Sequence, residues 1–162
     1  MKQVNVYTYS SAKSPKPAKI QCEAVGFVLE FETQKGQVTL DKTEVVHNMT
    51  RYQSELYVLK MALSRINTMC ELNIYTECEY VAAGYQKWLP KWKENDWVTE
   101  QKKEVSNRKE WEEIEELVQK FGHQLIFHTK EHHSYREWLK NKVEKEKLKC
   151  LSNLENSTAQ KK

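Results

Sequence analysis

Residues that interrupt regular structure are scarce in this chain, which has 4 glycines and 3 prolines among 162 residues. Two of the prolines, Pro15 and Pro17, lie in one segment, residues 10–19, which is therefore predicted to be a loop. No apolar run approaches the ~20 residues that a transmembrane helix needs. The first residues also lack the hydrophobic core of a signal peptide. We therefore expect no membrane partner.

Neither the net charge nor the cysteine spacing identifies a function. The formal net charge is +3, which is too small to indicate a nucleic-acid-binding protein unless a local basic patch exists. The cysteines are scattered and contain no CxxC pair. We expect Cys22, Cys70, Cys78 and Cys150 to be reduced structural thiols, and the protein to be cytoplasmic.

The apolar pattern predicts a single domain. Alternation of apolar and polar residues, or short apolar runs, predict strands at 3–9, 24–32, 38–46, 72–76 and 125–128. Helical spacing predicts helices at 51–66, 79–88, 110–121 and 135–148.

Local signals mark where these elements begin and end. A turn at 34–37 makes the second and third strands a hairpin, and Thr50 is a candidate N-cap for the first helix. Pro90 is expected to break the second helix. After about Leu148 the polar sequence predicts a frayed or disordered tail. Three sequential strands followed by alternating strands and helices predict an α/β fold, with a mixed sheet and helices on its faces.

The segment from Asn73 to Trp111 carries the strongest functional signal. A predicted strand ends on the carboxylate Glu77, and Trp88, Trp92 and Trp97 follow among several lysines. This combination predicts a metal site beside a nucleic-acid surface. We expect Trp88 and Trp111 to pack at the base of this segment and Trp97 to be the tryptophan that contacts a ligand.

The motifs, taken in order, resemble ribonuclease H of the type 1, cellular kind over residues 3–145. The segments that carry the resemblance are Thr8-Tyr9-Ser10-Ser11, Gly26-Phe27-Val28-Leu29, Thr50-Arg51-Tyr52-Gln53-Ser54-Glu55-Leu56, Thr76-Glu77-Cys78-Glu79-Tyr80-Val81, Gly84 with Trp88, and Trp92, Trp97, Asn107 and Trp111. The resemblance implies a mixed five-stranded sheet of three antiparallel and then two parallel strands. It also implies a ribonuclease-H-like domain at 1–147, with a basic protrusion at 86–106 and a polar tail at 148–162.

Members of this family cleave the RNA strand of an RNA–DNA hybrid with two divalent cations held by four carboxylates. Mg²⁺ or Mn²⁺ would serve here if the chain is active. The resemblance assigns Glu55 and Glu77 to metal binding and catalysis, but it puts Tyr9 at the first-strand aspartate. A tyrosine is neutral at pH 7 and is a poor ligand for Mg²⁺.

The last carboxylate position falls near Lys140 or Asn141, neither of which is acidic. Glu137, one turn earlier, could substitute only if the last helix is shifted. The resemblance also assigns a catalytic histidine to His132, with His133 as the alternative. The residues expected to contact nucleic acid are Lys13, Lys16, Thr50, Arg51, Lys87, Lys91, Lys93, Trp97, Lys102 and Lys103.

These features together predict a ribonuclease-H-like protein that binds RNA–DNA hybrid or a related nucleic acid, with hydrolysis of the RNA strand impaired or lost. Two alternatives remain open. One is an active ribonuclease H that uses Glu55 and Glu77, and the other is a protein-interaction module that retains only the fold.

Overall fold

The computed structural model describes residues 1–15 and 22–160. Its strands are β1 Lys2–Ser10, β2 Glu23–Thr33, β3 Gly36–Val46, β4 Cys70–Tyr75 and β5 Gln124–His128. Its helices are α1 Arg51–Leu63, α2 Glu79–Ala83, α3 Leu89–Glu94, α4 Arg108–Phe121 and α5 Arg136–Gln160, with a π-helical turn at Gly84–Trp88 between α2 and α3.

The sheet has the predicted mixed architecture. Its strand order is β3-β2-β1-β4-β5. The pairs β1–β2 and β2–β3 are antiparallel, whereas β1–β4 and β4–β5 are parallel. The prediction of three antiparallel strands followed by two parallel strands is therefore confirmed.

Helix α1 begins where its sequence signal indicates. Thr50 forms a capping box, because its hydroxyl accepts from the Gln53 backbone N–H at 3.2 Å and Gln53 Oε1 accepts from the Thr50 N–H at 3.1 Å. The helix then buries Leu56, Leu59 and Leu63 against the sheet. It ends at Leu63, three residues before the predicted end.

The opposite face of the sheet is covered by α5. Leu139 and Val143 of this helix pack in a second core that includes Tyr7 and Tyr9 of β1. Gly26 of β2 permits this close approach, since an added Cβ would lie 2.7 Å from Val143 Cγ2. Helices thus flank both faces of the sheet, and side chains from α1 and α5 can reach the same edge of β1.

The prediction of a frayed or disordered tail after Leu148 is wrong. Helix α5 continues to Gln160. The sequence after Arg136 contains no glycine or proline and is rich in Lys, Glu and Leu, which favour a helix. The hydrophobic pattern of the helix ends near Leu148, but residues with high helix propensity continue beyond it.

The prediction that all four cysteines are reduced is wrong for one pair. Cys22, just before β2, and Cys150, in α5, form a disulfide. Cys70 and Cys78 are free and buried, as expected. The packing of α5 over the start of β2 brings together two cysteines that are 128 residues apart in the sequence, which no local pattern reveals.

The prediction that Pro90 breaks the second helix is wrong. Pro90 lies in the first turn of α3, where the missing N–H of proline is tolerated. The path from Glu79 to Glu94 therefore stays helical through α2, the π-helical turn and α3. Within residues 1–15 and 22–160, no helix has the length and apolar content needed to cross a membrane.

Candidate active site

The candidate site lies at the carboxyl-terminal edge shared by β1 and β4. The two strands are parallel and pair up to Tyr7 with Tyr75, so Tyr9 and Glu77 both lie two residues beyond that last pair. A cavity of about 140 Å³ opens here, and its lining includes Tyr9, Glu77, His132 and Arg136. The fold therefore brings together residues that are far apart in the sequence.

Tyr9 fills the first-strand position as a buried neutral phenol. Only 9% of its surface is exposed, and its hydroxyl donates to Glu144 Oε1 of α5 at 2.9 Å. Burial, followed by the hydrogen bond and charge of Glu144, raises the pKa of Tyr9 above its usual range. Tyr9 therefore offers no anionic oxygen to a metal. No local pattern indicates Glu144, because its partner is 135 residues away in the chain.

Glu55 enters the same region from α1 and is deeply buried. Its residue surface is 6% exposed. Burial raises the pKa of Glu55 to about 7, opposed by the positive charges of Lys13 and Arg51 and reinforced by the negative charge of Glu77. Glu55 and Glu77 thus influence each other, as the resemblance implies.

Glu77 has a cationic partner that was not foreseen. Arg136 Nε, in the first turn of α5, lies 2.8 Å from Glu77 Oε1. Arg136 Nη1 is also 2.7 Å from His132 Nδ1. A guanidinium therefore links the fourth-strand carboxylate to the candidate histidine.

The α5 residue that contacts Glu77 is not one of those proposed for the last carboxylate position. Lys140, Asn141 and Glu137 are all exposed on α5, whereas Arg136 of the same helix reaches Glu77. The sequence alone does not determine which α5 residues face Glu77, because the length of the loop before α5 differs from the family pattern.

His133, the alternative to His132, belongs to an aromatic cluster. Its ring lies 4.4 Å from the Tyr7 ring and 5.6 Å from the Tyr75 ring, measured between centroids. Burial, together with the positive charge of Arg136, lowers the pKa of His133. His132, in contrast, is exposed and contacts Arg136.

The side chains present do not fit a pair of hard divalent cations. Mg²⁺ requires several converging oxygen ligands in near-octahedral geometry. Among the described residues, no group of three or more His, Cys, Asp or Glu side chains is arranged to hold a metal ion. Glu55 and Glu77 converge, but Glu77 is paired with Arg136. Tyr9 supplies a neutral oxygen that donates to a third carboxylate, Glu144.

The loop after β1 adds a second cation beside Tyr9. Lys13 Nζ lies 4.8 Å from the centroid of the Tyr9 ring and donates to the Ser10 carbonyl at 3.2 Å. The backbone N–H of Arg51 donates to the Ser14 carbonyl at 2.9 Å, which holds this loop against the start of α1. Lys16, the other lysine proposed for this loop, lies outside the described residues.

Most of the proposed lysines in the protrusion are exposed. This holds for Lys87, Lys91, Lys102 and Lys103. Lys93 is also exposed, but it forms an ion pair, with its Nζ 3.4 Å from Glu115 Oε1 of α4. Thr50, also proposed to contact a phosphate, uses its hydroxyl in the helix cap.

The predicted division into buried and exposed tryptophans is only partly correct. Trp111 is fully buried, as expected, but Trp88 is 41% exposed and is not part of the core. Trp97 is only partly exposed and packs near Trp92, with 6.4 Å between ring centroids. Trp88 is exposed because it ends the π-helical turn on the outer side, which sequence spacing for an α-helix does not anticipate.

An aromatic surface joins α1 to this turn. Tyr52 of α1 stacks on Tyr80 of α2 with 4.0 Å between ring centroids, and Tyr80 lies 6.4 Å from Trp88. Trp111 Nε1 and Asn107 Nδ2 both donate to the Tyr80 hydroxyl, at 3.3 and 3.2 Å. Tyr52 and Trp88 are the exposed members of this set, and Tyr52 was not among the predicted contact residues.

Comparison with known proteins places these features in a family context. A family model described as RNase H matches residues 1–148. A curated protein named Ribonuclease H from Clostridium botulinum (strain Hall) is 31% identical over 139 residues, which cover 85% of this chain and 89% of that protein.

Solved structures show the same fold. The foamy viral protease–reverse transcriptase in complex with RNA/DNA hybrid aligns with a TM-score of 0.70 at 20% identity, covering 88% of this chain and 19% of that one. LC9-RNase H1, described as a type 1 RNase H with the type 2 active-site motif, aligns with a TM-score of 0.69 at 17% identity, covering 86% and 69% of the two chains.

Proposed function

This chain belongs to the ribonuclease H family, and we propose that it binds RNA–DNA hybrid or a related nucleic acid with hydrolysis of the RNA strand impaired or lost. The observation that carries this proposal is the Arg136–Glu77 ion pair of 2.8 Å beside Tyr9. In this ion pair, the guanidinium of Arg136 lies in the region where the family resemblance implies carboxylates and divalent metals.

Loss of hydrolysis follows from the donor set at the strand ends. A two-metal mechanism needs enough negative charge to hold two cations close together. Tyr9 contributes no charge, and Arg136 already neutralises Glu77. Two cations held mainly by Glu55 and Glu77 would repel each other with little compensation.

Binding is supported by the exposed cations and rings of the protrusion. Lys87, Lys91, Lys102 and Lys103 are placed to contact phosphates, which requires no particular base sequence. The exposed ring of Trp88 can pack against sugars or bases. The foamy viral neighbour, which was solved with RNA/DNA hybrid, supports the choice of ligand by analogy of fold.

An active, Mg²⁺- or Mn²⁺-dependent ribonuclease H is the second candidate. Its support is the 31% identity to a protein named Ribonuclease H over most of both chains, together with the proximity of Glu55 and Glu77. In this case Glu55 and Glu77 would be the essential carboxylates.

A labelled RNA–DNA hybrid separates these functions. We expect salt-sensitive binding of the hybrid, since counterion release lowers affinity as salt rises, without cleavage in Mg²⁺ or Mn²⁺. Cleavage that disappears in Glu55→Gln would establish the enzyme instead. If the hybrid is neither bound nor cleaved, the protein-interaction module is the remaining function.

A cytoplasmic location is also a proposal. Buried free thiols at Cys70 and Cys78 are compatible with it, but a disulfide between Cys22 and Cys150 is unusual in a reducing compartment. Alkylation of the cysteines in freshly lysed cells tests the location. Labelling of Cys22 and Cys150 would support a reducing compartment, and protection of both would contradict it.

A further inference from the structure

Three cationic side chains from separate elements surround the edge at which Tyr9 and Glu77 meet. Lys13 comes from the loop after β1, Arg51 from the start of α1 and Arg136 from the start of α5. We propose that these three side chains bind a backbone phosphate of the nucleic acid directly, in place of the divalent metals of the family. This inference rests on the proposed binding function and adds that binding needs no metal.

Lys13 and Arg136 approach the edge from different directions. Lys13 Nζ lies 4.8 Å from the centroid of the Tyr9 ring. Arg136 lines the cavity with Tyr9 and Glu77, and 41% of its side chain is exposed. A phosphate above Tyr9 would therefore be accessible to both cations from solvent.

Arg136 retains hydrogen-bonding capacity for such a ligand. Its Nε contacts Glu77 and its Nη1 contacts His132. A guanidinium carries five N–H donors in a planar fork, so these two contacts leave donors for phosphate oxygens. Glu77 and His132 would hold the fork in a fixed orientation, which lowers the entropy lost on binding.

Arg51 belongs to the same charged region. Its positive charge, like that of Lys13, acts on the carboxyl of Glu55. Its Nε is buried and makes no hydrogen bond within the described part of the chain, so only the outer nitrogens of its guanidinium could meet a phosphate. Its main chain is fixed by Ser14 and by the first turn of α1, so the side chain is anchored next to the loop that carries Lys13.

The charge of the region is compatible with an anion. Glu77 is neutralised by Arg136, and Glu144 accepts the hydrogen bond of Tyr9. Glu55 is buried below the surface. Glu77 and Glu131 also present carboxylate oxygens to the cavity, so the three cations must outweigh them for a phosphate to bind.

The test compares hybrid binding in EDTA and in Mg²⁺ for the whole chain and for charge-neutral variants. We expect the same Kd with and without Mg²⁺. Arg136→Gln and Lys13→Gln should each weaken binding roughly tenfold and lower the slope of log affinity against log salt by about 1. Arg136→Lys should recover part of the affinity, because it restores charge without the fork. Lys145→Gln, an exposed charge nine residues further along α5, is the matched control.

The outcomes separate this inference from the proposed function. Hybrid binding that requires Mg²⁺, or that is unchanged in both Arg136→Gln and Lys13→Gln, would overturn the phosphate site and leave the binding function standing. If the wild-type chain binds no hybrid, the binding function fails. A titration with inorganic pyrophosphate, followed by amide chemical shifts, then decides the site. Shifts near Lys13 and Arg136 that disappear in Arg136→Gln support it, and unchanged spectra overturn it.

Discussion

At the scale of single residues, Tyr9 of β1 and Arg136 of α5 give the site a different charge from the one that the family resemblance implies. Tyr9 is a buried phenol that hydrogen-bonds Glu144, and Arg136 is a cation that pairs with Glu77. Each change alone would weaken a metal site. Together they replace the negative potential at this edge by a balanced one, so the two positions should be tested jointly.

We expect Tyr9→Asp to leave cleavage of a labelled hybrid at background, because Arg136 would still neutralise Glu77. The double variant Tyr9→Asp/Arg136→Asp should gain Mn²⁺-dependent cleavage, since it adds two carboxylates to Glu55, Glu77 and Glu144 and removes the cation paired with Glu77. The control is Tyr9→Asp/Lys145→Asp, which adds the second acid at an exposed position of the same helix, away from the positions proposed for the last carboxylate. A gain in Tyr9→Asp alone would show that Arg136 does not block the site.

Glu55 links this site to the pH dependence of stability. Its pKa is about 7 in the folded chain, well above the ordinary value of a glutamate in an unfolded chain. Between these values the folded state binds more protons than the unfolded state, so this group lowers stability as pH rises and has no further effect above about pH 7. The charge of a buried carboxyl therefore costs free energy at neutral pH.

Glu55→Gln removes that cost. We expect its free energy of unfolding, minus that of the wild type, to rise by about 3 kcal/mol between pH 4.5 and pH 7 and then to level off. Urea unfolding in EDTA across this range measures it. Glu137→Gln, at an exposed site of α5, gives the background of the same exchange. A difference that stays flat with pH would contradict the raised pKa.

At the scale of elements, the helical path from Glu79 to Glu94 is fixed by its contact with α4. The Trp111 ring of α4 packs directly on Gly84, where an added Cβ would lie 2.5 Å from Trp111 Cζ2. Gly84 also begins the π-helical turn. Because Gly84 has no side chain, the π-helical turn can lie directly against the Trp111 ring of α4.

Gly84→Ala tests this packing by the sign of its effect. In an ordinary helix the exchange stabilises a protein by roughly 0.5–1 kcal/mol. Here we expect a loss of about 1–3 kcal/mol, because the fully buried Trp111 ring must shift. Thermal unfolding measures the change, and Gln86→Ala at an exposed position of the same turn is the control. Stabilisation by Gly84→Ala would contradict the close packing.

The elements differ in how far local sequence determines them. The N-cap at Thr50 and the sequence of strands and helices along the chain follow from short-range patterns, and both are seen. The arrangement of three antiparallel and two parallel strands was implied by the family resemblance. The exposure of Trp88 depends on a π-helical turn, which has no α-helical spacing to reveal it. The role of Arg136 depends on the register of α5 against β1 and β2, which is set by packing between residues far apart in the chain.

At the scale of the whole molecule, the disulfide between Cys22 and Cys150 fastens α5 to the start of β2. It lies beside the ion pair of Lys147 with Glu23, whose atoms are 3.4 Å apart. The bond closes a loop that contains most of the chain, so it restricts the unfolded ensemble strongly.

We expect Cys150→Ser to lower the free energy of unfolding by about 2–4 kcal/mol under oxidising conditions. A thiol reductant should lower the stability of the wild type by a similar amount and leave Cys150→Ser unchanged, which serves as the internal control. Urea unfolding with and without reductant measures both. Equal stabilities of wild type and variant without reductant would show that the bond does not form in solution.

The same bond changes how the chain responds to a protease. A single cut at an exposed lysine of the protrusion, such as Lys102 or Lys103, falls between the two joined cysteines. The two fragments would stay covalently connected, with every strand still attached to its neighbours. A nicked molecule would therefore migrate as one species in a denaturing gel and separate into two bands only after reduction.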